Sequence, residues 1–511
     1  MAAHDDPASA AANCFRRMNL DTRSESLRLL GRVVRTPPRV VLKLLLALVL
    51  VLATWHAPVW TGVATLFDDL PYAGRITLAV LVLAAVLWVT EAIPAFAVSV
   101  LVIGLQIALL GRPGGPMMEP GDTDGWRIFV DPWSSPLLWL FLGGFVLAHG
   151  AAATGLDRWM ALRLMHRTGG RPAALLAGCM LLTFTLSMFM SNTATATMML
   201  AVLAPLLASR PLDDRFGRGL ILGVAAAANL GGMGTVIGSP PNAIAAAQLP
   251  VGDGIDFLRW MAFGLPAGLV LAALAFFYLR WRYHEPTLHD AEPGVFLALP
   301  TDERAAAGAP SLWHRIVVMT TFAITVGMWM TEAWHGIPAP VISFIPITVF
   351  CVTGVLTARS MRTLPWDVLL LIAGGLSLGV AVKESGLALW LAAAIPAGWS
   401  LAAIGTGMAL LAVLLSSFMS NTATASILLP LLAGVVVGYG GDGSEMAARL
   451  IPVALVCSTA MVLPISTPPN AVAYTSGRLR TIDLMALGAL MLVAGPLVAI
   501  SWSRLVAGWL L

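Results

Sequence analysis

The stretch SNTATAT, Ser191 to Thr197, returns almost unchanged as SNTATAS, Ser420 to Ser426. Each copy puts polar and β-branched residues, which are weak helix formers, near the middle of a long apolar run. The reading of these two stretches decides the fold, and the rest of the chain says what surrounds them.

Of the 511 residues, 58% are hydrophobic and 11% are charged. A soluble globular domain carries about 25% charged residues. Too little polar side chain is present to cover a water-facing surface, so the bilayer is the solvent. Apolar stretches of about 17 to 22 residues recur along the chain, the length an α-helix needs to cross about 30 Å of hydrocarbon. The alternating ten-residue pattern of a membrane barrel is absent, which leaves helices as the means of satisfying the backbone. The expected fold class is an all-α polytopic membrane protein. Cys14, Cys179, Cys351 and Cys457 are scattered and show no disulfide or zinc spacing, so they read as small buried hydrophobes.

About eleven spanning segments are expected, near 39–57, 73–91, 94–111, 135–152, 218–248, 258–279, 314–331, 338–357, 367–383, 449–475 and 482–508. The polar tail 1–38 carries Arg16, Arg17, Arg23, Arg28, Arg32 and Arg35 and has no signal-peptide core, so the positive-inside rule makes it cytoplasmic. Alternation then puts the acidic loop 112–134 outside and the arginine-rich loop 157–171 inside. Arg280, Arg282, Arg359, Arg362, Arg478 and Arg480 also fall inside, which leaves the C-terminus outside.

Two apolar regions, about 173–207 and 400–438, stand outside that count, and each holds one SNTAT. The charge rule assigns the flanks of the first to the inside and those of the second to the outside. Each is therefore expected to be a re-entrant helical hairpin with SNTAT at its turn. Irregular backbone at that depth persists only where it is buried in protein or lines a wet cavity.

The doubling extends further. WVTEA at Trp88 to Ala92 is echoed by WMTEA at Trp329 to Ala333, and Gly143 and Gly144 by Gly374 and Gly375. TGL at 154–156 pairs with SGL at 385–387, and SPPNAIA at Ser239 to Ala245 with TPPNAVA at Thr467 to Ala473. Five markers in one order, about 230 residues apart, indicate an internal duplication. With an odd number of spans in each half, the halves are expected to be inverted repeats, as in secondary transporters. The organisation that follows is a tail 1–38, a first helix and loop 39–72, a first inverted repeat 73–285, a cytoplasmic linker 286–313 and a second inverted repeat 314–511.

Pro-Pro at 240–241 and 468–469 predicts two broken spanning helices. Half-helix N-termini present N–H groups to an anion, while freed carbonyls and Ser, Thr and Asn oxygens suit a hard monovalent cation. Neither hairpin tip nor Pro-Pro break contains Lys or Arg. Ser187 and Ser416 each precede an SNT by four residues, one helical turn, and share its face.

WVTEAIP, the paired SNTAT and the paired PPNA together resemble the divalent anion/sodium symporter family over about residues 75–508. The resemblance implies transport of di- or tricarboxylates or sulfate by a homodimer that works as an elevator. It implies anion contacts from Asn192, Thr193, Asn421 and Thr422, with Ser239 and Thr467 beside the breaks. It further implies one sodium site from Ser187, Ser191, Asn192 and a carbonyl near Gly238, and a second from Ser416, Ser420, Asn421 and a carbonyl near Ser466. The function expected is sodium-coupled uptake of a divalent anion, foremost a C4-dicarboxylate such as succinate, malate or fumarate, at the plasma membrane. A sodium-independent exchanger and a citrate or sulfate carrier are the alternatives. The expected partners are the dicarboxylate, sodium ions and membrane lipid, with no nucleic acid.

Other polar residues read more plainly. Glu91 and Glu332 cap or pair near the interface, Lys383 and Glu384 sit at the outer surface, and His149 is a satisfied packing residue. An intramembrane enzyme would need Asp, Glu or His near the tips, and none is there. A channel would place its filter around an axis between chains, whereas this repeat lies within one.

Overall fold

The computed structural model describes residues 38–60, 69–119, 121, 123–167, 171–249, 255–283, 311–396 and 398–510. The arginine-rich tail, most of the linker 286–313 and Cys14 lie outside the described residues.

The described chain is helical throughout. Its first half runs α1 (Pro38–Trp60), α2 (Tyr72–Thr90), α3 (Ala95–Leu109), α4 (Pro136–Ala153), α5 (Leu156–Arg167), α6 (Pro172–Ser187), α7 (Asn192–Ala208), α8 (Arg215–Gly231), α9 (Pro240–Ala247) and α10 (Phe257–Arg282). The second half runs α11 (Leu312–Met330), α12 (Ala339–Ile342), α13 (Phe344–Val352), α14 (Trp366–Glu384), α15 (Leu387–Ala394), α16 (Leu401–Ser416), α17 (Asn421–Gly438), α18 (Gly443–Cys457), α19 (Pro468–Thr475) and α20 (Thr481–Leu510). Ends fall where local chemistry puts them. Asp256 accepts from Arg259 N at 2.6 Å to open α10, and Arg280 and Arg282 close it at the negative end of the helix dipole.

Seven described helices, α2, α4, α10, α11, α14, α17 and α20, are long and apolar enough to cross a membrane. Several other apolar helices are shorter, among them α3, α6, α7 and α16. Both SNTAT stretches fall at turns between two helices, α6–α7 and α16–α17. Of the four arms, only α17 has the length of a span.

The position of the helix breaks differs from the expectation. The Pro-Pro pairs do not interrupt a helix; they start one. α8 stops at Gly231 and α18 at Cys457, and Pro240 and Pro468 are the first residues of α9 and α19. Proline is favoured at N1 because its missing N–H needs no partner there and its φ already suits a helix. The open backbone therefore lies before the prolines, over 232–239 and 458–467.

Equivalent parts of the two halves make reciprocal contacts. α3 packs on α14, and α12 and α13 pack on α4. The close approaches are made by the doubled glycines. A Cβ on Gly374 would lie 2.3 Å from Ser99 Cβ, and one on Gly143 would lie 2.5 Å from Ser343 Cβ. Trp88 Nε1 donates to Ala95 O at 3.1 Å, and Trp329 Nε1 to Ala339 O at 3.0 Å. One arm of each hairpin packs on the other half: α7 on α19, and α17 on α9.

Cys179 and Cys457 are buried as expected, but Cys351 is exposed on an apolar helix surface. His149 is not satisfied: its Nε2 is buried with no hydrogen bond. Lys383 and Glu384 are exposed and lie 3.5 Å apart, a pair of little energetic weight.

Candidate functional site

The first tip is built by two helix ends. α6 ends at Ser187, a short turn follows, and Ser191 caps α7 by accepting from Ala194 N at 3.4 Å. That cap leaves the N–H groups of Asn192 and Thr193 without intrahelical acceptors, at the positive end of the α7 dipole. The second tip repeats the design. α16 ends at Ser416, and Ser420 accepts from Ala423 N at 3.2 Å to open α17.

Four of the oxygens around the first tip converge. Ser187 Oγ lies 2.7 Å from Asn192 Oδ1 and 2.7 Å from the Ala228 carbonyl. The same end of the Asn192 amide lies 3.2 Å from both the Ala228 and the Gly238 carbonyl oxygens. The Ser187 proton can serve only one of the two acceptors in its reach, and none lies between the amide end and the two carbonyls. Two arrangements resolve the crowding. Either a cation sits among the oxygens, or the amide turns and its NH2 donates to both carbonyls. Hard neutral oxygens of this kind fit a weakly charged hard cation. Gly232 makes room, since a Cβ there would stand 2.7 Å from Asn192 Nδ2 and 2.8 Å from Oδ1.

The structure thus brings Ser187, Asn192 and Gly238 together and adds Ala228, which sequence reading missed. The Ser191 hydroxyl makes no hydrogen bond into the cluster and serves as the helix cap. The second set is less complete. Asn421 Oδ1 is buried without a hydrogen bond, Ser416 Oγ is buried against the Cys457 thiol, Ser420 is a cap, and Ser466 Oγ donates to Leu463 O at 2.8 Å. No hydrogen bond joins the four.

Thr193 and Thr422 are each partly exposed, and their hydroxyls hold no hydrogen bond among the described residues. Ser239 is buried at the mouth of α9, and its hydroxyl caps nothing. Thr467 caps α19 and also accepts from Asn229 Nδ2 at 3.1 Å. The second Thr of each SNTAT was passed over in the sequence. Thr195 and Thr424 hydroxyls are both buried and unpartnered.

The asparagines of the two PPNA motifs hold the breaks open. Asn242 Nδ2 donates to Gly232 O and Thr235 O, both at 2.8 Å. Asn470 Nδ2 donates in the matching way to Met461 O at 2.9 Å and Leu463 O at 3.1 Å. Asn229 adds a bond across the halves, donating to Asn470 Oδ1 at 3.3 Å. Because Asn229 follows Ala228 directly, the second break and the first oxygen cluster share one turn of α8. The signal for Asn229 was present in the sequence as the single amide in the run AAAANLGG.

Comparison with known proteins places the chain. The citrate transporter family profile matches residues 85–448. The sodium-dependent dicarboxylate transporter SdcS of Staphylococcus aureus strain NCTC 8325 is 30% identical over 458 residues, covering 82% of this chain and 84% of the relative. The same protein from strain COL matches equally. Among solved structures, the YdaH transporter of Alcanivorax borkumensis aligns at 17% identity with a TM-score of 0.48, covering 81% of this chain and 97% of that one. MtrF of Neisseria gonorrhoeae aligns at 13% identity with a TM-score of 0.48, covering 89% and 97%. The chain is a transport protein and not an enzyme, and it belongs to the citrate transporter family, in keeping with its resemblance to the divalent anion/sodium symporters.

Proposed function

We propose that this protein couples sodium ions to uptake of a C4-dicarboxylate such as succinate, malate or fumarate. The observation that carries the reading is the convergence of Ser187 Oγ, one end of the Asn192 amide and the Ala228 and Gly238 carbonyls at the first tip. The name of the Staphylococcus aureus relative supports both the ion and the substrate class.

The amide of Asn192 supplies a coupling mechanism. Without a cation its NH2 donates to the two carbonyls and its oxygen faces away, toward the place an anion would take. A sodium ion in the cluster draws the oxygen in and turns the NH2 outward, where it joins the N–H groups of α7 in donating to a carboxylate. Each ligand thereby improves the site for the other, which is the reciprocity that coupled transport needs. The second tip, with Ser416, Ser420 and Asn421 and a carbonyl near Ser466, serves a second sodium ion. Thr193, Thr422, Ser239 and Thr467 complete the anion site.

Energetics favour more than one cation. Moving a divalent anion inward costs about 4.6 kcal/mol per 100 mV of interior-negative potential, and two sodium ions cancel it. The architecture that goes with this reading has about eleven spans and two re-entrant hairpins in two inverted repeats, working as an elevator in a plasma-membrane homodimer with a cytoplasmic N-terminus and an external C-terminus. Asn192→Ala and Asn421→Ala should each abolish succinate uptake while the protein still folds and inserts. Normal uptake by both variants contradicts the site.

A further inference from the structure

The doubled motif WVTEA/WMTEA ends in a glutamate in both halves, yet the two glutamates do different work. In the second half, three extra residues, Trp334 to Gly336, lengthen the turn before Ile-Pro-Ala. Gly336 takes the left-handed conformation there, at φ 70°, and Glu332 Oε2 accepts from Ala339 N at 3.2 Å. Glu332 is a helix cap. In the first half the turn is shorter and has no glycine, so Glu91 itself takes the left-handed conformation at φ 48°. It is the one non-glycine residue to do so among the described residues. A side chain in this region is unfavourable, and glycine is the usual choice at such a helix end.

The strained turn gives Glu91 a different place. Its carboxylate caps nothing: α3 begins without a side-chain cap, and Glu91 forms no ion pair or side-chain hydrogen bond among the described residues. The nearby ammonium of Lys43 is engaged by the Thr90 carbonyl. Glu91 instead lines an open cavity of about 360 Å³ together with Trp88, Pro94, Ser420 and Ala423. Ser420 and Ala423 belong to the cap and first turn of α17, beside the buried and unpartnered Asn421 Oδ1. This cavity therefore opens beside the second tip, with Glu91 as the one carboxylate among its lining residues.

From this asymmetry we infer that Glu91 is a cation-recruiting residue, whose charge concentrates monovalent cations in the cavity leading to the second-tip site. The inference rests on the sodium-coupled reading above and adds to it a residue outside the ligand set and a side of the membrane. The positive-inside rule places the turn at 91–94 on the cytoplasmic face, so Glu91 acts on binding and release from that face. Clefts lined by one sign of charge raise the local concentration of the opposite ion, and one carboxylate in a wet opening changes it by about threefold or more.

The test uses the full-length protein in inside-out membrane vesicles, which present the cytoplasmic face, and in intact cells, which present the other. Sodium activation of succinate uptake is measured for wild type, Glu91→Gln and Glu91→Asp. Glu91→Gln should raise the half-saturating sodium concentration by about threefold or more in inside-out vesicles, with a smaller shift in cells, and high salt should shrink the difference. Glu91→Asp keeps the charge and suits a left-handed turn, so it should restore the wild-type value. A Glu91→Gly variant removes charge and strain together and should match Glu91→Gln, because the effect follows charge and not backbone comfort. An unchanged sodium requirement in Glu91→Gln, or equal shifts on both faces, overturns the inference while leaving sodium coupling in place. Wild-type uptake with no sodium activation on either face overturns both.

Discussion

Gly232→Ala is the substitution that isolates the first oxygen cluster. Gly232 has φ −58° and ψ −19°, values alanine adopts freely, so alanine meets no backbone strain there and gains about 0.4–1 kcal/mol by restricting the unfolded chain. What the new methyl meets is one side chain. Its three nearest atoms are Asn192 Nδ2, Oδ1 and Cγ, at 2.7, 2.8 and 3.1 Å. Asn192 must shift by about 0.5 Å or more to restore ordinary van der Waals contact, which disturbs its spacing to Ala228 O and Gly238 O. Loss of a ligand's support costs about tenfold to a hundredfold in ion affinity. Sodium at a hundred times its dissociation constant stabilises wild type by about 2.7 kcal/mol, and a tenfold weaker site leaves about 1.4 kcal/mol at the same concentration. Two assays follow: sodium-dependent thermal stabilisation of the purified protein, and sodium activation of succinate uptake. Both should shift by at least about tenfold in sodium concentration, while stability without sodium stays equal or rises. Gly104→Ala, where a Cβ meets nothing within 4 Å, is the control. A wild-type sodium response in Gly232→Ala refutes the placement of Asn192 in a cation site.

Three other predictions come from different parts of the structure. Asn192→Asp keeps an oxygen for the cation but loses the NH2 offered to the anion and adds negative charge. It should retain sodium-induced stabilisation and lose succinate-induced stabilisation, both readable in one melting series. Gly374→Ala should be strongly destabilising in a thermal melt, by about 2 kcal/mol or more, because its Cβ would lie 2.3 Å from Ser99 Cβ and 2.7 Å from Ser99 Cα, and helix backbone must move. Burial holds the Glu332 carboxyl above the ordinary value of 4.5, and the Ala339 N–H offsets this only in part. A raised folded value means the folded state holds the proton more tightly. Its contribution is complete below the ordinary value and is lost as pH rises through the folded one. Wild type should therefore lose melting temperature relative to Glu332→Gln as pH rises above the ordinary value of 4.5, and a parallel pair of curves would contradict this.

Much of the architecture was legible because membrane solvation is unforgiving. A chain with 11% charged residues must form helices, and doubled motifs about 230 residues apart locate matching elements. The tips were legible too, since Ser191 and Ser420 are N-caps and their spacing from Ser187 and Ser416 is one helical turn. What escaped the sequence was supplied by backbone. The Ala228 carbonyl becomes a site atom only because α8 ends three residues later at Gly231, and no side chain announces it. The break lies earlier than the prolines that signal it, because at these positions proline starts a helix and does not break one. Gly232 looked like one of several glycines until the amide of Asn192 was set against it. Glu91 and Glu332 looked equivalent, and three extra residues in one turn made them different.

The measurement that tests the central claim most directly is uptake of radiolabelled succinate into proteoliposomes under an inward sodium gradient, with choline replacing sodium, and with unlabelled succinate loaded inside. The account predicts uptake that requires sodium and proceeds without internal succinate. Sodium-independent uptake that requires internal succinate would contradict it, and would make the protein an exchanger in which Ser187 and Ser416 serve only to pack the hairpin helices.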